Sequence, residues 1–475
     1  MGQHHSPSKK LRLKLSKGAT VGLIGIFGLV ATGCSTTGTS TPHTNLIRIW
    51  RVGQAVDSFR DTITQFQKDH TATKVSYQNR TIDNYEFASL KSLAGRQGPD
   101  IWSIPNDWIG DYQDQVQPLP DDFFSQVTGS PKPVDEVKKL YPVGISSQII
   151  SADGTHVYGL PTNVDTLRLY VNQDVFSQAL QDYRKSLGTN FSDALYQPVR
   201  LLLNNPPATW DDVVNDVKYI TIRNGNTITR SAIALGTADN IPNAQDTLEL
   251  LISQNGAKIV SDDHKNPLFH VPTTTPSGGQ VRPGENALSF FSSFSDPSKA
   301  TYSWNPSMPD ALDAFAQGKL AMVVAYSDFG QKLKVKYPHF SPQISPVPQV
   351  SVSQTPVNWI RFSLETVTKT ADNPAAAFAF MKLYTNQAMA KGLASELKLK
   401  SPFAATLDQN SSSDFLSKQI LTGKTTYKLG HTQFDQTFHQ TIVNVSQNGI
   451  SPADAIKTAA DQIDTLLNPV AVPTS

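Results

Sequence analysis

The side chains with most chemistry to offer in this 475-residue chain are aromatic and acidic residues at strand ends and breaks of pattern. Trp50 and Gln54 close the first apolar stretch, and Asp107 and Trp108 follow a short apolar run at 100–104. Asp165 lies in a patterned stretch at 158–172, and Trp304, Tyr326, Asp328 and Trp359 stand near later breaks. Such residues suit a sugar. The apolar C–H face of a pyranose packs on an aromatic ring, and its hydroxyls donate to carboxylates. In open α/β sheets, ligands bind beyond the carboxyl ends of the strands, where several of these residues fall. The competing reading is structural. A Trp is usually a partly buried core residue, and an Asp at a break serves equally as a cap, a turn or a solvated face.

Other chemistries find less support. Gly423-Lys424-Thr425 imitates the end of a phosphate loop, but Lys418 stands five positions before Gly423, where the cradle needs another glycine. No GxGxxG follows the first strand, and neither GxSxG nor HExxH occurs. His431 and His439 could share a helix face, but no acidic cluster lies near them in sequence. A glycosidase needs two carboxylates at fixed separation. The 40 acids supply many pairs and mark none. The single cysteine, Cys34, excludes an internal disulfide, a CxxC pair and a thiolate zinc cluster. Neither a cofactor nor a metal is expected. With 41 Lys plus Arg against those 40 acids, no basic excess points to nucleic acid.

The N-terminus is of a different kind. Residues 1–18 carry Lys9, Lys10, Arg12, Lys14 and Lys17 and no acid, and residues 19–31 carry no charge. Thirteen residues fall short of the ~20 that span a bilayer core. They match the apolar region of a secretory signal behind a positive start. Small residues precede Cys34, as in a lipoprotein signal, although Ala31 stands where Leu is commoner. The expectation is a signal peptide at 1–33, a lipid on Cys34, and a tether at 34–45 too small and polar to bury a core. An uncleaved short anchor and ordinary secretion are the alternatives. Removing 1–33 leaves 36 basic residues against 40 acids, so the mature chain is mildly acidic.

These side chains need a scaffold, and the chain reads as repeated strand–helix units. Residues 46–52 alternate. Val56, Phe59, Ile63 and Phe66 form one helical stripe, and residues 74–78 alternate again. That is a βαβ unit with parallel strands. Leu167, Leu169 and Val171 fall on one strand face. Thr209 can cap a helix from Trp210, with Asp211 and Asp212 in its first turn. Residues 336–357 carry five prolines and read as a connecting crossing. Ser451-Pro452, with Asp454 three residues after the cap, opens the last helix. The class is α/β with mostly parallel strands in two lobes.

Eight segments in this order resemble family 1 extracellular solute-binding proteins, the carbohydrate-type receptors of ABC importers related to maltose-binding protein. They are IRIWRVGQAVDSF (47–59), GPDIWSIPNDWIGDY (98–112), VYGLPTNVDTLRLYVNQDVF (157–176) and PPATWDDVV (206–214), then AIALGTADNI (232–241), ISQNGAKI (252–259), ALDAFAQGKLAMVVAYSD (311–328) and SPADAIKTAADQI (451–463). The resemblance spans about residues 46–467. It implies a type II periplasmic-binding-protein-like fold, with two α/β lobes joined by a hinge and a ligand cleft between them. Lobe 1 would take residues 46–163 and 357–400, and lobe 2 residues 164–356 and 401–468.

The resemblance also implies site residues. The acid and contact residue after the GPDI segment fall on Asp107 and Trp108. Trp108 replaces the maltose receptor's cation, which favours stacking over charge pairing. The acid that binds sugar hydroxyls falls on Asp165. The maltose receptor's Gly-Pro-Trp falls on Tyr326-Ser327-Asp328, so the aromatic is displaced. Gln54 falls at a first-loop contact, and Asn358 and Trp359 near the returning hinge. Trp304 has no counterpart. The implied protein is not an enzyme. It is a monomer on the outer face of the cytoplasmic membrane, held by a lipid, that captures a carbohydrate and delivers it to an ABC permease. A surface glycan hydrolase and a non-transport sugar sensor or adhesin are the rival readings.

Overall fold

The computed structural model describes residues 45–124, 132–274, 279–407 and 414–469. The expected signal, Cys34 and the tether before residue 45 lie outside the described residues. The strands run in chain order: β1 (Asn45–Val52), β2 (Thr73–Arg80), β3 (Ile101–Pro105), β4 (Val116–Gln117), β5 (Leu160–Thr166), β6 (Arg168–Val171), β7 (Ile222–Asn224) and β8 (Thr227–Ile233). Then come β9 (Thr273–Thr274), β10 (Gln280–Val281), β11 (Leu320–Ala325), β12 (Gln343–Ser345), β13 (Asn358–Thr368) and β14 (Gly423–Lys424).

The first βαβ unit forms as its pattern requires. β1 and β2 pair in parallel with Ile47 opposite Val75, and helix Arg60–Asp69 crosses between them. Phe59 and Phe66 bury the helix stripe against the sheet, which at ~25 cal/mol per Å² of apolar surface is what holds a short helix. β3 lies on the other side of β1, and the sheet continues to β13 and β14. Long β13 runs antiparallel to β3, β4 and β5. The second sheet has the order β12-β6-β11-β8-β7, and only β8 and β11 pair in parallel. Both sheets are therefore mixed, not mostly parallel. The strands that return from the other half enter against the sheet direction.

Each sheet has its own apolar core. The chain passes between the cores three times. Val164 belongs to the first core and Leu167 to the second. Trp359 belongs to the second and Ile360 to the first. Ile420 belongs to the first and Phe434 to the second. The stretch at 158–172, read as one strand, is two strands in different sheets that break at Leu167. Phe403 and Leu407 also pack in the first core, which differs from the lobe boundary expected at 401. The Thr209 cap forms as a capping box with Asp212, and Ser451 caps helix Pro452–Leu467 through the Asp454 amide.

Candidate functional site

The three crossings bring the charged groups together. In the first, Asp165 near the end of β5 is 4% exposed. Its Oδ1 accepts from the Thr166 amide at 2.9 Å and from Arg168. Its Oδ2 accepts from the Ser327 amide at 3.1 Å, the Ser327 hydroxyl at 2.7 Å and Arg361 at 3.4 Å. The carboxylate is saturated. Asp165 thus clasps the hinge and has no free oxygen for a hydroxyl, which corrects its expected role as a direct ligand.

In the second crossing, Arg361 on β13 reaches the other half. Its Nη2 donates to Asp328 Oδ1 at 2.7 Å, in the first turn of helix Ser327–Lys336, and its guanidinium lies 3.9 Å from the Tyr326 ring centre. Burial pushes the Asp328 carboxyl up, but Arg361 and Lys332 outweigh it and hold the group below its ordinary value. Tyr326 is buried beneath Arg361.

The third crossing carries Lys428. Its carbonyl presses on Gly110, where a Cβ would sit 2.0 Å from the oxygen, so only glycine allows this approach. Lys428 Nζ lies 3.2 Å from Glu249 Oε1 and 2.6 Å from Asp435 Oδ1. Burial opposes its charge, but Glu249, Asp435, Asp246 and Asp107 outweigh burial and raise its pKa well above the ordinary lysine value. Glu249 and Asp246 share a face of helix Ala244–Gln254 at i and i+3. Burial raises Glu249 to about 8 and Asp246 to about 6.

The first half answers with the turn Asn106–Trp108. Asn106 pins it to two crossings: its Oδ1 accepts from the Phe362 amide at 2.8 Å and its Nδ2 donates to Thr425 at 3.1 Å. Asp107 Oδ1 is closed to water and has no hydrogen-bond partner. Burial raises the Asp107 pKa, against the pull of Lys428. Beside it, Asp111 accepts from the Gly430 and His431 amides and from the His431 ring, at the start of helix His431–Ser446. Burial alone would lower the His431 pKa, but Asp111 and Glu86 raise it.

The expected aromatic platform is not presented. Trp108 is 8% exposed and packs among Tyr85, Trp102, Tyr112 and His431, with the His431 ring 5.3 Å away and nearly parallel. Trp304 is 0% exposed and donates from Nε1 to Asn240 at 2.9 Å, so it is a core residue and is corrected as a ligand contact. Gln54 is corrected likewise. It is buried, accepts from Arg51 at 3.0 Å and donates to the Leu393 carbonyl at 3.2 Å. Asn358 and Trp359 stand in the second crossing. Asn358 donates to Thr422 at 2.8 Å, and Trp359 lines a cavity of about 610 Å³ with His264 and Tyr427.

Of the expected residues, Asp107 and Trp108 lie beside the charged cluster, and Asp165, Tyr326 and Asp328 beside Arg361. Asp246, Glu249, Arg361, Lys428 and Asp435 were not anticipated. Glu249 alone left a signal, as an acid among Leu248, Leu250, Leu251 and Ile252. Chemically, the arrangement sets carboxylates and cations from both halves about the second and third crossings.

Known proteins match this chain in two ways, by family profile and by fold. The family profile described as "bacterial extracellular solute-binding protein" matches residues 53–391. No curated protein matches the chain in sequence. Among solved structures, the sugar-binding protein MalE from the phytopathogen Xanthomonas citri superposes with TM-score 0.64 at 18% identity, over 89% of this chain and 97% of its own. A cyclo/maltodextrin-binding protein complexed with maltotetraose gives 0.62 at 14%, over 90% and 98%. An ABC transporter solute-binding protein from Thermotoga lettingae bound with α-D-tagatose gives 0.61 at 16%, over 89% and 100%. At these identities the likeness is one of fold, that of type II periplasmic binding proteins.

Proposed function

The chain belongs to the family of bacterial extracellular solute-binding proteins, and from that premise we propose that it captures a carbohydrate between its two halves and hands it to an ABC importer. The observation that carries this reading is the passage of the chain between two separately cored halves, with Lys428 of the third crossing paired to Glu249 and Asp435. A sugar rim both donates and accepts, so it suits carboxylates and cations together. The carbohydrates named in the structures of like fold support the same class.

The mechanism is a change of shape without bond cleavage. Three chain crossings form the hinge, and a ligand that touches both halves binds the closed form better and shifts the population towards it. The closed form then docks on a membrane permease. Asp107, Asp246, Lys428 and Asp435 are the proposed contact residues, with Asp165 and Arg361 holding the hinge. A lipid on Cys34 would keep the monomeric body at the outer face of the cytoplasmic membrane.

A thermal-shift screen over mono- and oligosaccharides tests the proposal. A ligand at 100 times its Kd stabilises by ~2.7 kcal/mol. A shift with one sugar class and no product release supports capture. Release of hydrolysed product would favour the glycan hydrolase. Stabilisation by a peptide or polyamine and by no sugar would remove the carbohydrate assignment and leave the fold intact.

A further inference from the structure

We propose that the cavity lined by Trp359, His264 and Tyr427 is a second ligand site, and that it takes a sugar acid, a hydroxylated ring with one negative charge. The site goes beyond the capture reading above, because none of Asp107, Asp246, Glu249, Lys428 or Asp435 lines it. Its volume of about 610 Å³ is that of a small-molecule site, for which ~300–1,000 Å³ is usual. Ser147 and Gln148, on helix Val143–Ile149 of the first half, form one wall. Residues 256–262 and His264 of the second half form another. Trp359 brings in the second crossing, and the stretch from Lys424 to Tyr427 brings in the third.

Part of this wall is polar and unmatched. Gln148 and Thr426 are only 7% and 6% exposed. Gln148 Nε2 donates to the Asn106 carbonyl at 3.4 Å, but its side-chain oxygen accepts from none of the described residues. The hydroxyls of Thr426 and Ser147 bond to none of them either. Buried polar groups without partners are costly, and ligand hydroxyls, which both donate and accept, offset that cost. The rest of the wall carries rings. His264 lies flat on Tyr427, with ring centres 3.8 Å apart and planes 10° apart. It is held there at a φ of 61°, a left-handed conformation that side chains rarely adopt. The apolar C–H face of a sugar ring suits such a surface.

The charges of the wall narrow the class further. Lys258 Nζ lies 2.7 and 2.5 Å from the two oxygens of Asp262, so these charges cancel. Burial lowers the His264 pKa, so its ring is neutral at pH 7. Lys424 is exposed and has neither an ion-pair nor a hydrogen-bond partner for its ammonium among the described residues. One positive charge is left over, and a carboxylate on the ligand matches it. An amino acid fits less well, since its ammonium would find no unpaired carboxylate in the wall.

The test is titration calorimetry of the mature chain at pH 7 with glucuronate and galacturonate, and with benzoate as a charged ring that lacks hydroxyls. One uronate is expected to bind one-to-one and more tightly than benzoate. Its affinity should fall about fivefold in Lys424→Met, the worth of one exposed ion pair, and should hold in Lys424→Arg. It should also weaken as salt rises. Thr426→Val, which keeps the shape and removes the hydroxyl, should weaken the uronate about fivefold and leave benzoate unchanged. No binding of either uronate overturns the inference. So does benzoate bound as tightly, or a uronate affinity that Lys424→Met and Thr426→Val both leave unchanged. Uronate binding lost in Asp107→Asn or Asp246→Asn and kept in Lys424→Met would put the acid among the capture residues and overturn it as well. Each of these results leaves the capture reading standing, because the sugar screen tests that reading separately.

Discussion

Arg361 on β13 donates to Asp328 in the other half at 2.7 Å, so one guanidinium ties the hinge strand to the first turn of helix Ser327–Lys336. Both side chains are more than a third exposed, which limits their worth as a stabilising pair to about 0–1 kcal/mol. Their expected role is to set the angle between the halves. Arg361→Ala should leave the urea midpoint almost unchanged, enlarge the ligand-free chain in small-angle scattering and weaken ligand binding roughly fivefold. Unchanged scattering and affinity would show that the pair does not restrain the hinge.

Asp165 should behave differently. Its oxygens hold Arg168, Arg361, Ser327 and the Thr166 amide. Asp165→Ala leaves the buried Arg168 without a counter-charge and should cost ~3–5 kcal/mol in urea unfolding. Asp165→Asn keeps part of the hydrogen bonding and should cost less. A stable Asp165→Ala protein that has merely lost ligand would return this residue to the ligand contacts.

A second buried pair lies in the first half. Arg51 Nη1 is 2.9 Å from Glu365 Oε1, and both side chains are sealed from water. Glu365 also accepts from Ser103 at 2.8 Å and Tyr384 at 2.9 Å. Arg51→Met alone should destabilise by ~3–5 kcal/mol, because Glu365 is left charged and buried. Adding Glu365→Leu should recover much of that loss in chemical denaturation. A double variant as unstable as the sum of the singles would refute the coupling.

How much of this was legible in the sequence differs from element to element. The β1–β2 unit was, because Ile47 and Ile49 alternate and Phe59 and Phe66 keep helical spacing. The Thr209 and Ser451 caps were, because each carries an acid three residues on. The break at Leu167 was not. Residues 160–171 are buried throughout, so a strand that changes sheets looks like one long strand. Trp304 shows the limit of residue type, since a core Trp and a stacking Trp read alike. Lys428 lies in an irregular crossing with no period to place it. Asp435 looks like the solvated face of a helix until Lys428 is beside it.

Asp216 gives a pH dependence. It is fully buried in helix Trp210–Ile220, neither oxygen has a hydrogen-bond partner, and burial, then Asp212, raises its pKa to about 8. An unfolded Asp titrates near ~3.9. Between about pH 4 and about pH 8 the folded chain therefore holds the extra proton. This group's contribution favours the fold at low pH and declines as pH rises through that window, by up to ~1.4 kcal/mol per pH unit. Asp216→Asn should flatten the decline and raise the urea midpoint at pH 8 more than at pH 5. Parallel pH profiles for the two proteins would show that Asp216 is not held protonated.

Calorimetric titration of the mature chain with carbohydrates, repeated on Asp107→Ala and Asp246→Ala, examines capture between the halves most directly. The expected result is saturable one-to-one binding of one sugar class, no turnover, and a loss of ten- to a hundredfold in each variant, about 1.4–2.7 kcal/mol. Sugar binding that both substitutions leave untouched would contradict the site, and the absence of any sugar binding would contradict the function.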